Sequence, residues 1–269
     1  MRVAVVGHSE WFELLRLERV PRAGEIVHST AIGAFPGGGG AAPAVMLARW
    51  TGACAMYTSF GDDELGHRTH AELRARGVTV HATFLPIPQR RAITVVDAHR
   101  ERTIIVVGER HAARGSDPLP WDELAACDAV LVTAGDVAAV RAARRARVLV
   151  ATSRIVPLLA QAAVPIDALV GSSADAAEAY TRGQLVPEPA VVVRTEGGRG
   201  GTYTLADGTT QRYAAVPATV TGDSFGAGDA FAAALTLALA SGADIAAALA
   251  TAAARAAEVL AYVGPYPPP

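Results

Sequence analysis

The stretch Thr221-Gly222-Asp223-Ser224-Phe225-Gly226-Ala227-Gly228-Asp229-Ala230-Phe231 joins a polar turn to an alanine- and leucine-rich run that continues to Ala240. The run predicts a helix, and the glycines before it leave the backbone nearly bare of side chains. Such a loop presents free N–H groups and the positive end of the helix dipole, which attract an anion. Asp229 could then take a proton from a hydroxyl while these N–H groups hold charge on a transferred phosphoryl group. On this motif alone, a helix cap and a tight turn are the simpler interpretation.

Composition limits the possible classes of protein. The 269 residues, 51% of them hydrophobic, fit one large α/β domain or two small ones. The net charge of −2 gives no electrostatic reason to expect nucleic acid or an anionic membrane as partner. Every basic residue is arginine, which excludes a lysine nucleophile and a P-loop lysine. Cys54 and Cys127 lie in apolar surroundings and are expected to be buried free thiols in a reducing compartment.

No apolar run is long enough to suggest a membrane segment. The run from Met1 to Gly7 is too short for a signal peptide and predicts a buried strand. The longest apolar stretch, Ala230 to Ala240, is too short to span a bilayer. We therefore expect a cytoplasmic protein with no membrane partner.

Four extended segments precede the regular second half of the chain. They are Phe12 to Leu17, Glu25 to Phe35, Arg91 to Asp97 and Arg102 to Val107, the last two joined by a hairpin at Ala98-His99-Arg100-Glu101. They predict a small antiparallel sheet that projects from the main sheet. We call it the lid (about residues 12–35 and 90–107) and expect it to belong to a single domain spanning residues 1–269.

Residues 36–43 contain four consecutive glycines and precede a predicted helix from Ala44 to Trp50. Gly38 and Gly39 would let the backbone approach a ligand at the N-terminus of this helix, and the alternative is a flexible linker. The acidic run Asp62-Asp63-Glu64 opens another predicted helix, where such residues are more often caps than metal ligands.

The second half alternates between strands and helices, as in a parallel sheet. The predicted strands are Ala129 to Thr133, Val148 to Ala151, Ala168 to Val170 and Ala190 to Thr195. The predicted helices are Val137 to Arg145, Val156 to Ala163, Ala176 to Arg182, Asp229 to Ala240 and Asp244 to Tyr262. Each strand delivers polar or glycine residues at its carboxyl end, where open α/β sheets place their ligands. The sequence therefore predicts a cleft along one edge of the sheet.

Taken together and in order, these motifs resemble those of the ribokinase family of sugar and nucleoside kinases, the PfkB group. The matching landmarks are Gly37-Gly38-Gly39-Gly40-Ala41-Ala42-Pro43-Ala44, Gly61-Asp62-Asp63 with Gly66, Thr195-Glu196-Gly197-Gly198-Arg199-Gly200, and Asp223-Ser224-Phe225-Gly226-Ala227-Gly228-Asp229. The resemblance extends from Val3 through Tyr262. It implies a three-layer α/β/α fold with a small β lid and ATP as phosphate donor.

The resemblance also implies roles for individual residues. It implies that Asp229 is the base and that the amides of Gly226, Ala227 and Gly228 form the anion hole. The residues expected at ATP are Thr195, Gly197, Gly200, Ser224 and Asp175, with Asp175 also the candidate for magnesium. The residues expected at the acceptor are Glu10, Gly38, Gly39, Ala42, Asp136 and Asp223, with a monovalent cation near Asp223.

Three positions depart from the family pattern. Ala42 stands where the family usually has an asparagine that binds substrate hydroxyls, and Phe12 where it has a substrate-binding aspartate. The Asn-x-x-Glu segment that organises magnesium and phosphates appears as Ser172-Ser173-Ala174-Asp175, which keeps only Asp175. The donor half of the site is therefore better supported than the acceptor half. The acceptor could be less polar than ribose, or held by Glu10, Asp136, Arg91 or Arg154.

Two functions from different classes remain open. The first is an ATP-dependent kinase that phosphorylates a hydroxymethyl group of a small sugar or nucleoside, with Mg²⁺ held mainly by phosphate oxygens and water. The alternative is a non-catalytic metabolite-binding protein with a degenerate acceptor site. A dinucleotide-dependent oxidoreductase is disfavoured because no Gly-x-Gly-x-x-Gly follows the first strand.

Apolar residues on both faces of the lid predict a homodimer through the lid. They are Phe12, Leu14, Ile26, Ile32, Ile93, Val95, Ile104 and Val106.

Overall fold

The structure, a computed structural model, describes residues 1–99 and 102–267. Its strands are β1 Val3–Val6, β2 Glu10–Arg16, β3 Thr30–Gly37, β4 Cys54–Gly61, β5 Val78–Leu85, β6 Arg91–Val96, β7 Arg102–Val107, β8 Ala129–Val132, β9 Val148–Thr152, β10 Ala168–Ser172, β11 Val191–Thr195, β12 Gly201–Leu205 and β13 Thr210–Tyr213. Its helices are α1 Gly38–Thr51, α2 Glu64–Ala75, α3 Val137–Ala143, α4 Val156–Ala162, α5 Ala227–Ala240 and α6 Ile245–Val259.

A nine-stranded sheet in the order β13-β12-β11-β10-β9-β8-β1-β4-β5 forms the middle layer. From β11 through β5 all neighbours are parallel, while β12 and β13 extend one edge antiparallel. Alternate residues of a strand point to opposite faces, so Val3 and Val5 pack with α1, α5 and α6, and Ala4 and Val6 pack with α3 and α4. The predicted three-layer α/β/α fold is confirmed.

The lid is a separate four-stranded sheet in the order β3-β2-β6-β7. Its two outer pairings, β2 with β3 and β6 with β7, are antiparallel, as expected. The central pairing of β2 with β6 is parallel, because each strand enters the lid separately from the main sheet. In the predicted hairpin, Arg100 and Glu101 lie outside the described residues, as do Pro268 and Pro269 of the chain's proline-rich tail.

Several predicted bounds were wrong. Helix α1 begins at Gly38 rather than Ala44, because the glycines form its first turn instead of a loop. The predicted helix from Ala176 to Arg182 is only a 3-10 turn, Ala176–Glu178. Residues 25–29 of the second lid segment are not in a strand, and strands β12 and β13 were not anticipated.

The segment after α6 returns to the glycine loop before α5. The Gly264 N–H donates to Asp223 Oδ2 at 3.2 Å, and the Asp223 N–H donates to the Tyr262 carbonyl at 2.8 Å. The Tyr266 hydroxyl donates to the Pro36 carbonyl at 2.5 Å, which connects this segment to the end of β3. Residues 262–266 therefore hold the loop and the lid together.

Within residues 1–99 and 102–267, no helix combines the length and the apolar character that crossing a bilayer requires. Cys54 and Cys127 are buried and free, as the sequence predicted.

Candidate active site

A cleft of about 270 Å³ opens at the carboxyl ends of the parallel strands, against the N-terminus of α5. It brings together five residues that the sequence singled out: Thr195, Ser224, Gly226, Gly228 and Asp229. Thr195 comes from the end of β11, Ser224 and Gly226 from the loop before α5, and Gly228 and Asp229 from the first turn of α5. Parallel strands end on one side of a sheet, so residues distant in sequence meet there.

The glycine loop has the conformation that an anion hole needs. Gly226 precedes α5 with φ +84°, a conformation that favours glycine, and a Cβ there would lie 2.6 Å from Cα of Pro265. A Cβ on Gly228 would meet nothing within 4 Å, so this residue faces open space. At the start of α5 the Ala227 N–H donates to the Ser224 carbonyl at 3.4 Å and the Ala230 N–H to the Gly226 carbonyl at 2.8 Å. Among the described residues, the N–H groups of Gly228 and Asp229 between them have no backbone acceptor. The loop can therefore donate to an anion in the cleft.

Asp229 lies in the first turn of α5 and is partly buried. Burial raises the pKa of its carboxyl from 3.8 to about 7, and the negative charge of Glu178 adds to the rise. Arg102 and Arg154 oppose the shift. A carboxyl whose pKa lies near neutral pH is suited to exchange a proton with a substrate hydroxyl.

Arg102, the first residue of β7, reaches the cleft from the lid. Its guanidinium carbon lies 5.5 Å from the centre of the Phe225 ring, and Phe225 also lines the cleft. Sequence reasoning missed Arg102 because nothing local distinguishes it from other arginines of the chain.

Glu178 was also missed, because the sequence predicted only a helix from Ala176 to Arg182 and gave this residue no role. It lines the cleft, where its Oε2 accepts the Ser172 N–H at 2.7 Å and its Oε1 accepts from Arg154 at 2.8 Å.

The predicted metal ligand, Asp175, does not line the cleft. Its carboxylate pairs with Arg154 and accepts the Ala177 N–H at 2.9 Å. Among the described residues, no three His, Cys, Asp or Glu side chains are grouped as a metal site.

Glu10, the first residue of lid strand β2 and a predicted acceptor residue, is buried. Its Oε1 accepts from Arg90 Nε at 2.6 Å and lies 3.3 Å from His8 Nε2. The imidazole of His8 lies over the first turn of α1, where a Cβ on Gly38 or Gly39 would come 3.2 to 3.4 Å from its ring. Both glycines therefore allow the ring to pack against the helix.

The other three residues predicted at the acceptor do not line the cleft and instead stabilise the fold. Ala42 is 1% exposed in the core face of α1 and does not line the cleft, whereas its neighbour Pro43 does. Asp136 caps α3, accepting the N–H groups of Ala139 at 2.8 Å and Gly115 at 2.9 Å. Asp223 is buried and accepts from Phe225 N–H at 2.7 Å as well as from Gly264.

The turn after β11, predicted to bind nucleotide, has two glycines with positive φ. Gly197 has φ +59° with open space around its Cβ position, and Gly200 has φ +81°. A Cβ on Gly200 would lie 2.1 Å from the Tyr213 carbonyl oxygen. Thr195 comes just before this turn and lines the cleft, so the turn begins at the edge of the cleft.

A larger hollow of about 450 Å³ lies between α1, α2 and the end of α6. Trp50, Arg76, Arg255 and Tyr266 line it, and it contains none of the predicted site residues. Size does not identify the active site here. The cleft at Asp229 is the candidate because it unites a carboxyl of raised pKa with free helix N–H groups.

Comparisons with known proteins agree with the fold. A family model described as "pfkB family carbohydrate kinase" matches residues 1–269. A ribokinase of Dictyostelium discoideum is 27% identical over 108 residues, a match that covers 39% of this chain and only 34% of that protein.

Three similar solved structures align with nearly the whole chain. A ribokinase from Thermotoga maritima has 19% identity and a TM-score of 0.77, covering 98% of this chain and 94% of its own. An adenosine kinase from Sinorhizobium meliloti has 19% identity and a TM-score of 0.78, covering 99% and 95%. An Arabidopsis thaliana ribokinase complexed with ribose and ATP has 20% identity and a TM-score of 0.72, covering 95% and 91%. At these identities the likeness establishes the fold.

Proposed function

This chain belongs to the pfkB family of carbohydrate kinases, and from that premise we propose that it transfers the γ-phosphoryl group of ATP to a hydroxymethyl group of a small sugar or nucleoside. The observation that carries the proposal is the position of Asp229 beside the turn formed by Gly226 to Gly228. Burial raises the pKa of the Asp229 carboxyl to about 7. Phosphoryl transfer needs alignment and charge neutralisation more than covalent help from the protein.

In the proposed reaction, ionised Asp229 takes the proton of the acceptor hydroxyl. The freed oxygen forms a bond to the γ-phosphorus while the bond from that phosphorus to the bridging oxygen of ADP breaks. The helix N-terminus at Gly226 to Gly228 stabilises the charge on the transferred group. Arg102 adds positive charge from the lid, because its side chain lines the same cleft.

ATP is proposed to bind with its adenine near Gly197 to Gly201 and the last two helices, and its γ-phosphate toward Gly226 to Gly228. Mg²⁺, when bound, would neutralise phosphate charge. Glu178 is the carboxylate that would help hold it, because Glu178 and not Asp175 lines the cleft. The monovalent cation near Asp223 stays a prediction, as does a cytoplasmic location.

One observation favours the alternative, a non-catalytic binding protein. Phe12, at the place of the family's substrate-binding aspartate, is buried against Phe225 and fills space at the acceptor end with an apolar ring. We keep the kinase as first choice because the Asp229 carboxyl, with a pKa of about 7 at the N-terminus of α5, is suited to take a proton from a hydroxyl.

We further propose that residues 1–269 act as one kinase domain that dimerises through the lid. Strand β7 is an edge strand whose apolar residues Ile104, Ile105, Val106 and Val107 are 44 to 52% exposed. Of the other apolar lid residues, Phe12, Leu14 and Val95 are buried and Ile26 lies outside the strands. The side chain of Ile32 is outside the described set. The exposed apolar surface is therefore centred on β7, which also has unpaired backbone groups.

The kinase proposal is tested by incubating the protein with Mg-ATP and a panel of sugars and nucleosides, and measuring ADP formed above the ATPase background. The D229N variant is the matched control. An acceptor that stimulates ADP formation in the wild type alone supports the proposal. Equal stimulation in D229N, or none with any acceptor despite ATP binding, contradicts it.

A further inference from the structure

The hollow between α1, α2 and the end of α6 shares no lining residue with the cleft at Asp229. Its volume, about 450 Å³, lies in the range of small-molecule sites. Tyr262, Pro265 and Tyr266 line it, and they belong to the segment that holds the glycine loop and the lid together. The function proposed above gives the hollow no role.

Three arginines from three different elements line the hollow. They are Arg49 in the last turn of α1, Arg76 at the end of α2 and Arg255 in α6. Arg255 pairs with Glu258, which also lines the hollow. Within residues 1–99 and 102–267, Arg49 and Arg76 form no ion pair. Positive charge is favourable at the end of any one helix, but that does not explain why all three arginines meet at one hollow.

Aromatic rings lie among these arginines. The guanidinium carbon of Arg76 lies 4.8 Å from the centre of the Tyr266 ring, and that of Arg255 lies 5.3 Å from the centre of the Trp50 ring. These contacts hold both guanidinium groups against flat surfaces, so they lose little freedom when they bind an anion. Tyr262 adds a third ring, which is half-buried. Rings and fixed positive groups together suit a planar ligand that carries an anionic group.

The same segment also positions the glycine loop. The Tyr262 carbonyl accepts the Asp223 N–H at 2.8 Å. Pro265 lies so close to Gly226 that a Cβ on the glycine would come 2.6 Å from its Cα. A ligand that orders Tyr262 and Pro265 from the hollow therefore also orders the loop on which they rest.

A second contact reaches α5 directly. Met46 and Val259 line the hollow, and both belong to an apolar cluster that contains Ala230. Ala230 lies in the first turn of α5, immediately after Asp229. The hollow is thus connected to the candidate base through side-chain packing as well as through the backbone.

We propose that the hollow is an effector site for a small molecule that carries a phosphate or carboxylate on a planar ring. Arg49 and Arg76 bind the anionic group, the ring packs against Trp50 and Tyr262, and occupancy stabilises the loop that leads to Asp229. A ligand that favours one state of this loop shifts its population toward that state. The proposal goes beyond the kinase function and does not depend on it.

The test is calorimetric titration in saturating ADP, which fills the proposed donor site. The probes are phenyl phosphate and indole-3-acetate, with indole-3-ethanol as the neutral ring and inorganic phosphate as the anion without a ring. The variants are R49A, R76A and R76K. R74A is the matched control, because Arg74 is an exposed arginine of α2 that does not line the hollow. Hydrogen exchange of the amides in residues 222–228 is measured with and without each probe.

We expect at least one anionic ring probe to bind, with R49A and R76A each weakening it about tenfold or more, R76K intermediate and R74A unchanged. The two anionic rings show whether phosphate or carboxylate is preferred. Both controls should bind about tenfold more weakly than the preferred probe. Exchange at Gly222 and Asp223 should slow on binding, because their N–H groups donate to Leu260 and Tyr262.

Three results would overturn the proposal. The first is that neither anionic ring binds, and the second is that binding is as tight in R49A and R76A as in wild type. The third is binding that leaves exchange in residues 222–228 unchanged, which rejects an effector role. None of these measurements requires phosphoryl transfer, so a failure of the kinase assay would not affect them. An effect of the probes on ADP formation would be an additional result of the kinase assay.

Discussion

The rings of Phe12 in the lid and Phe225 in the glycine loop lie with their centres 4.7 Å apart, tilted by 45°. Phe35 of the lid adds a second contact to Phe225, at 6.2 Å. The lid is therefore seated directly on the loop that precedes Asp229. An apolar contact at this point excludes water from the cleft, which would suppress hydrolysis of a bound phosphate donor.

Replacing Asp229 by asparagine should lower turnover by about two orders of magnitude or more, because a base acts in the transition state. ATP affinity should change little. Turnover and nucleotide affinity are measured on purified D229N, with D244N as control, since Asp244 is the N-cap of α6 and does not line the cleft. Near-wild-type turnover in D229N would place the base elsewhere.

The acid limb of the kcat/KM profile should report the ionisation of Asp229. Its pKa of about 7, raised by burial and then by Glu178, means that activity should fall as the pH drops below about 7. E178Q removes a negative neighbour and should move the limb to lower pH, while R102A should move it to higher pH. If the acid limb keeps the same pH position in both variants, the group that titrates there is not Asp229.

The same shift should affect folding stability. Between pH 3.8 and about 7 the folded protein holds a proton on Asp229 that the unfolded chain has released, so stability falls as pH rises through this window. D229N should therefore melt at a higher temperature than wild type above pH 7, and the two should converge below about pH 4. Thermal melts across the pH range measure this, and an equal difference at every pH contradicts it.

Replacing Gly226 by alanine should affect stability, whereas replacing Gly228 by alanine should affect phosphate binding. G226A should destabilise the fold, because φ is +84° and the new Cβ would overlap Pro265. G228A meets no atom within 4 Å and should fold normally while weakening phosphate binding in the cleft. Melting temperature and the KM for ATP separate the two effects. Unchanged nucleotide kinetics in G228A would argue against an anion hole at this turn.

Arg102 should contribute to turnover through its charge. R102A should lower kcat about ten- to hundredfold, as expected for losing one charge-assisted contact, and R102K should recover part of it. The melting temperature should hardly change, because the residue is exposed on the lid. Loss of kcat in R102A with no recovery in R102K would indicate that geometry or stacking on Phe225 matters more than charge.

Dimerisation through the lid should depend on β7. I105K places a charge on the exposed edge strand and should shift sedimentation from dimer toward monomer, whereas V186K, on another exposed apolar residue, should not. A wild-type protein that is monomeric at high concentration, or a dimer that I105K leaves intact, would contradict the proposed interface.

The sequence predicted the elements whose pattern is local. Strand Arg102–Val107 matches its predicted bounds because a continuous run of strand-forming residues defines it. The hairpin of β12 and β13 was missed although Asp207-Gly208 between them is a strong turn signal. The helix expected after Ala176 stops at Glu178, whose carboxylate folds back onto the Ser172 N–H.

In the site, the sequence identified residues that belong to motifs and missed those positioned by tertiary structure. Asp229, Gly226, Gly228, Ser224 and Thr195 lie within short recognisable turns, and the fold brings them into one cleft. Arg102 and Glu178 reach that cleft from other elements. The pairing of Glu10 with Arg90 joins residues 80 positions apart, which periodicity and spacing cannot reveal.

The hydrogen bond from Tyr266 to Pro36 joins residues 230 positions apart. During synthesis on the ribosome, the lid strand that ends at Gly37 emerges long before Tyr266 does. The nascent chain therefore carries an unfastened lid, with exposed apolar strands, until Tyr266 has emerged. Only then can the glycine loop, the lid and residues 262–266 close together, and a chaperone that shields the early strands would act in that interval.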